Sequence, residues 1–274
     1  LLQYEEHLMA RVITITSGKG GVGKTTTTAN LGTALAMQGA RVAVIDADIG
    51  LRNLDVVLGL ENRIVYDLID VVEGRARMRQ ALIKDKRLPE LCLLPAAQTR
   101  DKEAIGPEDM VALTNQMRPE FDYILIDCPA GIEGGFRNAI AGADEVLIVT
   151  TPEVSAVRDA DRIVGLVEAA EKGPPRLIIN RLNARLVSRG EMLSMEEVVE
   201  ILAIDPVGVV PDDESIVTST NRGEVAVFDQ NSLAGRAFIN IARRVAGEDV
   251  PLLGVTDQQG MLDRLFGLFG RKSR

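Results

Sequence analysis

The sequence predicts an α/β fold, a mostly parallel central sheet flanked by helices on both faces, with an amphipathic helix at the C-terminus. Three observations carry that expectation. Short apolar runs alternate with helix-length segments, the pattern of strands buried between two helical layers. A glycine-rich loop joins the first such run to the first helix. Two later runs end in aspartate, and in parallel sheets ligands bind beyond the carboxyl ends of the strands.

The strands expected are 12–16, 41–46, 91–94, 123–127, 145–149, 176–180 and 207–210. Each is rich in Val, Ile and Leu. Helices are expected near 25–38, 64–72, 107–118, 133–141, 155–171, 194–202 and 232–246. The chain contains no internal repeat and no low-complexity stretch. Residues 9–247 read as one domain, with 1–8 as an extension ahead of Met9, 248–259 as a polar linker and 260–274 as a separate tail.

Composition narrows the classes of function. A net charge of −9 over 274 residues argues against general nucleic-acid binding, which needs a basic face to neutralise phosphates. No run of about 18 apolar residues exists to span a bilayer. Residues 1–8 carry Glu5 and Glu6 and do not resemble a basic-then-apolar leader. Cys92 and Cys128 are the only cysteines and lie in or beside apolar runs, which fits buried thiols in a reducing compartment. His7 is the only histidine, so a histidine-based zinc site or a Ser-His-Asp triad in the core is excluded.

The loop from Gly18 to Thr25 fits G-x-x-x-x-G-K-[ST]. Glycines allow successive N–H groups to point at a phosphate, and the helix that follows adds its positive end. At average residue usage a chance match is roughly a one per cent event, and the flanking strand and helix lower it further. Nucleotide binding is therefore expected of Gly18, Lys19, Gly20, Gly21, Val22, Gly23, Lys24, Thr25 and Thr26. Lys24 would reach the β- and γ-phosphates and Thr25 would ligate Mg²⁺. Asp46 and Asp127, each closing an apolar strand, would hold the hydrated metal from the other side. Gly131 is placed to offer a backbone N–H to the γ-phosphate, an interaction that hydrolysis would end. Asp48 is chosen to orient the attacking water, because it lies two residues beyond a strand end expected to adjoin the loop. So few positioning groups imply slow turnover until a second copy or a partner completes the site.

A second lysine, Lys19, follows the first glycine directly. With it the loop resembles the deviant Walker A ATPases, the family that includes MinD, ParA, arsenite-pump ATPases and the nitrogenase iron protein. In that family the extra lysine reaches across a dimer interface to the partner's nucleotide. Within the family the likeness is to the MinD division-site ATPases. It rests on Asp48–Asp55, Val65–Asp67, Gln80–Lys86, Gln98–Lys102, Pro129–Glu133, Pro152–Ser155, Val157–Asp159 and Val187–Glu196, and it covers about residues 10 to 270. The resemblance implies a cytoplasmic or plastid-stromal ATPase that dimerises with ATP, sits peripherally on the inner face of the membrane and recruits a MinC-like division inhibitor. A MinE-like stimulator or a polar scaffold would displace it. The resemblance also implies adenine contacts near Asn180 and Arg181 and from Pro211 to Asp213, and a partner surface on Ser155–Arg162.

The tail adds an independent signal. On a helix of about 100° per residue, Met261, Leu262, Leu265, Phe266, Leu268 and Phe269 fall within an arc of about 160°. Asp263, Arg264, Gly267 and Gly270 oppose them, and Arg271, Lys272 and Arg274 follow. Such a helix suits an anionic membrane surface. Two rival readings compete. A ParA-like partition ATPase shares the loop and both acids but binds DNA, needs a basic surface and has no use for such a tail. An iron–sulfur carrier would use both cysteines, but Cys92 lies inside an expected strand.

Overall fold

The apolar runs form one eight-stranded sheet in the computed structural model, whose described residues are 10–98, 104–132 and 134–252. The strands are β1 (Arg11–Thr16), β2 (Val42–Asp46), β3 (Ile83–Lys84), β4 (Leu91–Leu94), β5 (Tyr123–Asp127), β6 (Glu145–Thr150), β7 (Arg176–Leu182) and β8 (Pro206–Pro211). Their order is β3-β4-β2-β5-β1-β6-β7-β8. All neighbours run parallel except the antiparallel β3–β4 pair at one edge. All seven expected strands are present; β3, two residues long, is too short for periodicity to reveal.

The helices are α1 (Lys24–Met37), α2 (Leu54–Leu58), α3 (Leu68–Val72), α4 (Met78–Ala81), α5 (Pro107–Met117), α6 (Gly134–Ala141), α7 (Val154–Ala169), α8 (Ala184–Ser188), α9 (Met195–Leu202), α10 (Ser215–Thr220) and α11 (Leu233–Val245). The helix expected over 64–72 begins only at Leu68. Asp67 stops it there: its carboxylate accepts the N–H groups of Ile69 and Asp70, while the Asp70 side chain accepts the Asp67 N–H. That reciprocal cap fixes the start of the helix. Four helices are not foreseen from the sequence, α2, α4, α8 and α10, each of four to six residues.

Alternation along the strands sends side chains to two separate cores. Val12, Ile124, Ile126, Val146 and Ile148 meet α5, α6, α7 and α9 on one face. Ile13, Ile15, Leu125, Leu147 and Val149 meet α1, α2 and α11 on the other. From β1 the chain crosses to β2 on one side of the sheet, and after β5 it passes to β6 on the other. That reversal at β1 opens a crevice beyond its carboxyl end. The glycine loop lies there.

Candidate active site

Between β1 and α1 the loop is shaped by left-handed backbone at Gly21 (φ 79°) and Gly23 (φ 99°), where a side chain would be strained. Two other elements clamp it. A methyl on Gly18 would lie 2.1 Å from the carbonyl oxygen of Asp159 in α7, so loop and helix touch backbone to backbone. On the other side, Asn180 at the end of β7 donates from Nδ2 to the Val22 carbonyl at 2.8 Å. The first turn of α1 has neither a side-chain cap nor an acidic residue, leaving its positive end available to an anion. Lys24 is buried in this cradle, with Nζ donating to Ser17 Oγ at 3.0 Å.

Asp46 and Asp127 stand opposite each other in the β2–β5 register, both buried. The pKa of Asp127 is raised to about 7, first by burial and then by the charge of Asp46; Thr25, Lys24 and Thr28 oppose the rise. Thr28 donates to Asp127 Oδ1 at 3.2 Å. Burial likewise raises Asp46 to about 6, against the N–H groups of Asp48 and Leu54. Two buried carboxylates pressed together, beside the Thr25 hydroxyl, form a hard-oxygen set with an unmet demand for positive charge. The described residues contain no cluster of three metal-ligating side chains. The carboxylate pair and the hydroxyl suit Mg²⁺, which keeps several waters and is held by one or two carboxylates plus substrate phosphates.

Asp46 also organises the loop that follows it. Its Oδ1 accepts the Asp48 N–H at 3.0 Å, and its Oδ2 accepts those of Asn53 and Leu54 at 3.2 and 3.1 Å. Arg52 in this loop is left-handed (φ 41°) and lies 2.8 Å from the buried Asp55 carboxylate. In the sheet β5 lies between β2 and β1. Asp48 is tied to the site through the Asp46 carboxylate. Gly131, left-handed at φ 98°, follows β5.

Lys19 is folded onto its own chain, with Nζ 3.1 Å from Ser155 Oγ and 3.6 Å from Glu153 Oε2. Its side chain is 42% exposed, so these contacts are weak and easily exchanged. Leu51, Ile132 and Val154 follow β2, β5 and β6 respectively and are exposed, placing apolar surface on the same edge as Lys19.

The residues expected near adenine have other engagements. Asn180 braces the loop through its amide and accepts the Arg181 N–H through its oxygen; Arg181 is exposed and left-handed at φ 57°. Asp213 accepts Ser232 Oγ and the Ala234 N–H on Oδ2 and the Ser215 N–H on Oδ1, which ties α10 to α11. Its pKa is lowered: burial pushes it up, and those hydrogen bonds outweigh the push. Ser17 and Thr28, which seat Lys24 and Asp127, are site residues that the motif does not single out. A signal for Thr28 exists, since four threonines at 25–28 are poor helix formers. The apolar tail residues from Met261 to Phe269, the 1–8 extension and Glu133 lie outside the described residues.

The profile of the CobQ/CobB/MinD/ParA nucleotide binding domain matches residues 13–227. The septum site-determining protein MinD of Bacillus subtilis is 55% identical over 268 residues, 97% of this chain and all of that protein. Among solved structures, the MinC:MinD cell division complex of Aquifex aeolicus is 52% identical with a TM-score of 0.82, over 89% of this chain and 98% of that one. MinD of Pyrococcus horikoshii complexed with Mg-ADP is 32% identical with a TM-score of 0.78, over 86% and 96%.

Proposed function

The chain belongs to the MinD family of nucleotide-binding ATPases, and from that premise we propose that it is an ATP-driven, membrane-associated dimer that positions the division site. The observation that carries the switch is Lys19, set inside the loop and 42% exposed on weak partners, on an edge that also exposes Leu51, Ile132 and Val154. A second copy docking there would cover the apolar side chains and draw each Lys19 from Ser155 to the opposite nucleotide.

Each residue then has a defined part. Lys24 moves from Ser17 to the β- and γ-phosphates, and the glycine loop with the start of α1 cradles them. Bound Mg²⁺ neutralises phosphate charge. Thr25, Asp46 and Asp127 are the residues that would hold it. Asp48, steadied by Asp46, orients the water, and Gly131 reads the γ-phosphate. The exposed positions Arg158, Asp161 and Arg162 of α7 offer the surface for a MinC-like inhibitor and for a MinE-like stimulator or polar scaffold. Such a partner is known of the Aquifex protein from its complex with MinC.

Replacing Asp48 by alanine is expected to stop turnover while leaving ATP-driven assembly intact, and replacing Lys19 is expected to abolish both assembly and turnover. Phosphate release and light scattering with ATP separate the two. Normal hydrolysis by Asp48→Ala would reduce Asp48 to a turn residue.

Membrane attachment is assigned to residues 260–274. No helix among the described residues is long and apolar enough to cross a membrane, so attachment falls to a surface-lying segment. One such tail binds marginally; two on a dimer act together and strengthen attachment by roughly 10²–10⁴-fold. Binding to anionic vesicles is therefore expected with ATP, and only weakly with ADP or without nucleotide. Phe266→Glu should remove it with nucleotide binding unchanged. Equal vesicle binding in ATP and ADP would sink the coupling. ATP-dependent co-sedimentation with DNA instead would favour a partition ATPase.

A further inference from the structure

A second concavity lies away from the strand ends, a cleft of about 580 Å³ between α2 and α10 and beside the β3–β4 edge. Its volume is that of a small-molecule site. Two left-handed glycines meet in its lining, Gly59 (φ 67°) and Gly223 (φ 65°). A methyl on Gly59 would lie 2.5 Å from the Gly223 carbonyl oxygen, so the two turns are locked together and no side chain fills the space.

The charges around the cleft are unbalanced. Four cations, Arg63, Lys86, Arg87 and Arg222, line it with only two carboxylates, Glu61 and Asp85. Arg87 and Asp85 satisfy each other at 3.1 Å; Arg87 also donates to the Leu58 carbonyl and lies over the Phe228 ring. Asp85 additionally accepts the N–H groups of Arg87 and Leu88. That pair is structural and occupies both charges. Glu61 accepts the Asn62 amide, and Arg63 donates to the Lys84 carbonyl. Lys86 and Arg222 are exposed, and neither makes an ion pair with any described residue. In a chain of net charge −9, a concave site with three cations unmatched except for Glu61 is a local reversal of sign.

We propose that this cleft binds a small phosphate-bearing anion, with Arg222, Lys86 and Arg63 as its cationic donors. A guanidinium matches two phosphate oxygens at once, while an ammonium supplies a point charge. Asn221 and Thr220 on the same wall add neutral donors. A cleft of about 580 Å³ fits a compact ligand.

The test is calorimetric titration of pyrophosphate into the full chain saturated with Mg-ADP, beside the same chain carrying Lys86→Glu and Arg222→Glu. Comparing the two isolates the cleft whatever the glycine loop binds. The expected result is one salt-sensitive site in the unmodified chain, weakened at least about tenfold in the double variant, with melting temperatures matching. Should the double variant fail to fold, Arg222→Gln alone is expected to weaken binding in the same direction. Identical isotherms, or no saturable heat in the unmodified chain, would overturn the assignment.

Discussion

Nucleotide affinity is expected to fall by roughly 10²–10³-fold in Lys24→Ala, the loss of about two charge-assisted hydrogen bonds. The ammonium is already buried inside the loop and oriented by Ser17, so little side-chain freedom remains to be given up when phosphate arrives. Alanine removes the cation without changing the left-handed backbone at Gly21 and Gly23. The fold should therefore persist while binding fails. Equilibrium titration with a fluorescent ATP analogue, beside a thermal melt, reads both. Affinity unchanged within a factor of about two, a few tenths of a kcal/mol, would remove Lys24 from the phosphate site.

Asp127→Asn is expected to stabilise the nucleotide-free protein at alkaline pH and to abolish its use of Mg²⁺. In the folded chain burial and the neighbouring Asp46 raise the Asp127 pKa to about 7, from 3.8. Between those values the folded state keeps a proton that the unfolded chain has released, so stability falls as pH rises across that window. Below the unfolded value the penalty is absent, and above the folded value it is complete. Asparagine removes it, a gain on the order of 2–4 kcal/mol above pH 7. Urea unfolding in chelator at acid and alkaline pH should give the variant a shallower loss of stability with pH than the unmodified chain. Parallel pH dependences for the two proteins would show that the carboxylates are not in conflict.

Local chemistry is legible in the sequence, and spatial order is not. The strands declare themselves because each is apolar on both faces, and the glycine loop does so because its spacing is specific. Asp46 and Asp127 stand out as strand-end acids, but that they face each other in one register depends on β5 pairing with β2. Nothing local in either strand records that pairing. The short helices α2, α4, α8 and α10 show too few turns for a period to emerge. Asp213 illustrates a further limit. A carboxylate near a ligand site and one that caps Ala234 and Ser215 look alike until α11 is in place.

The packing of Gly18 on Asp159 has a consequence for how this molecule can change over time. One contact between the loop and α7 is main chain to main chain, the Gly18 backbone against the Asp159 carbonyl oxygen, beside the side-chain contact of Lys19 with Ser155. The Gly18 contact uses no side chain of the loop, so none has to be retained to keep that contact. The outward residues of the helix, Arg158, Asp161 and Arg162 among them, are thereby free to drift toward new docking partners while the helix responds to the loop as before. At this contact only glycine at position 18 is obliged to stay.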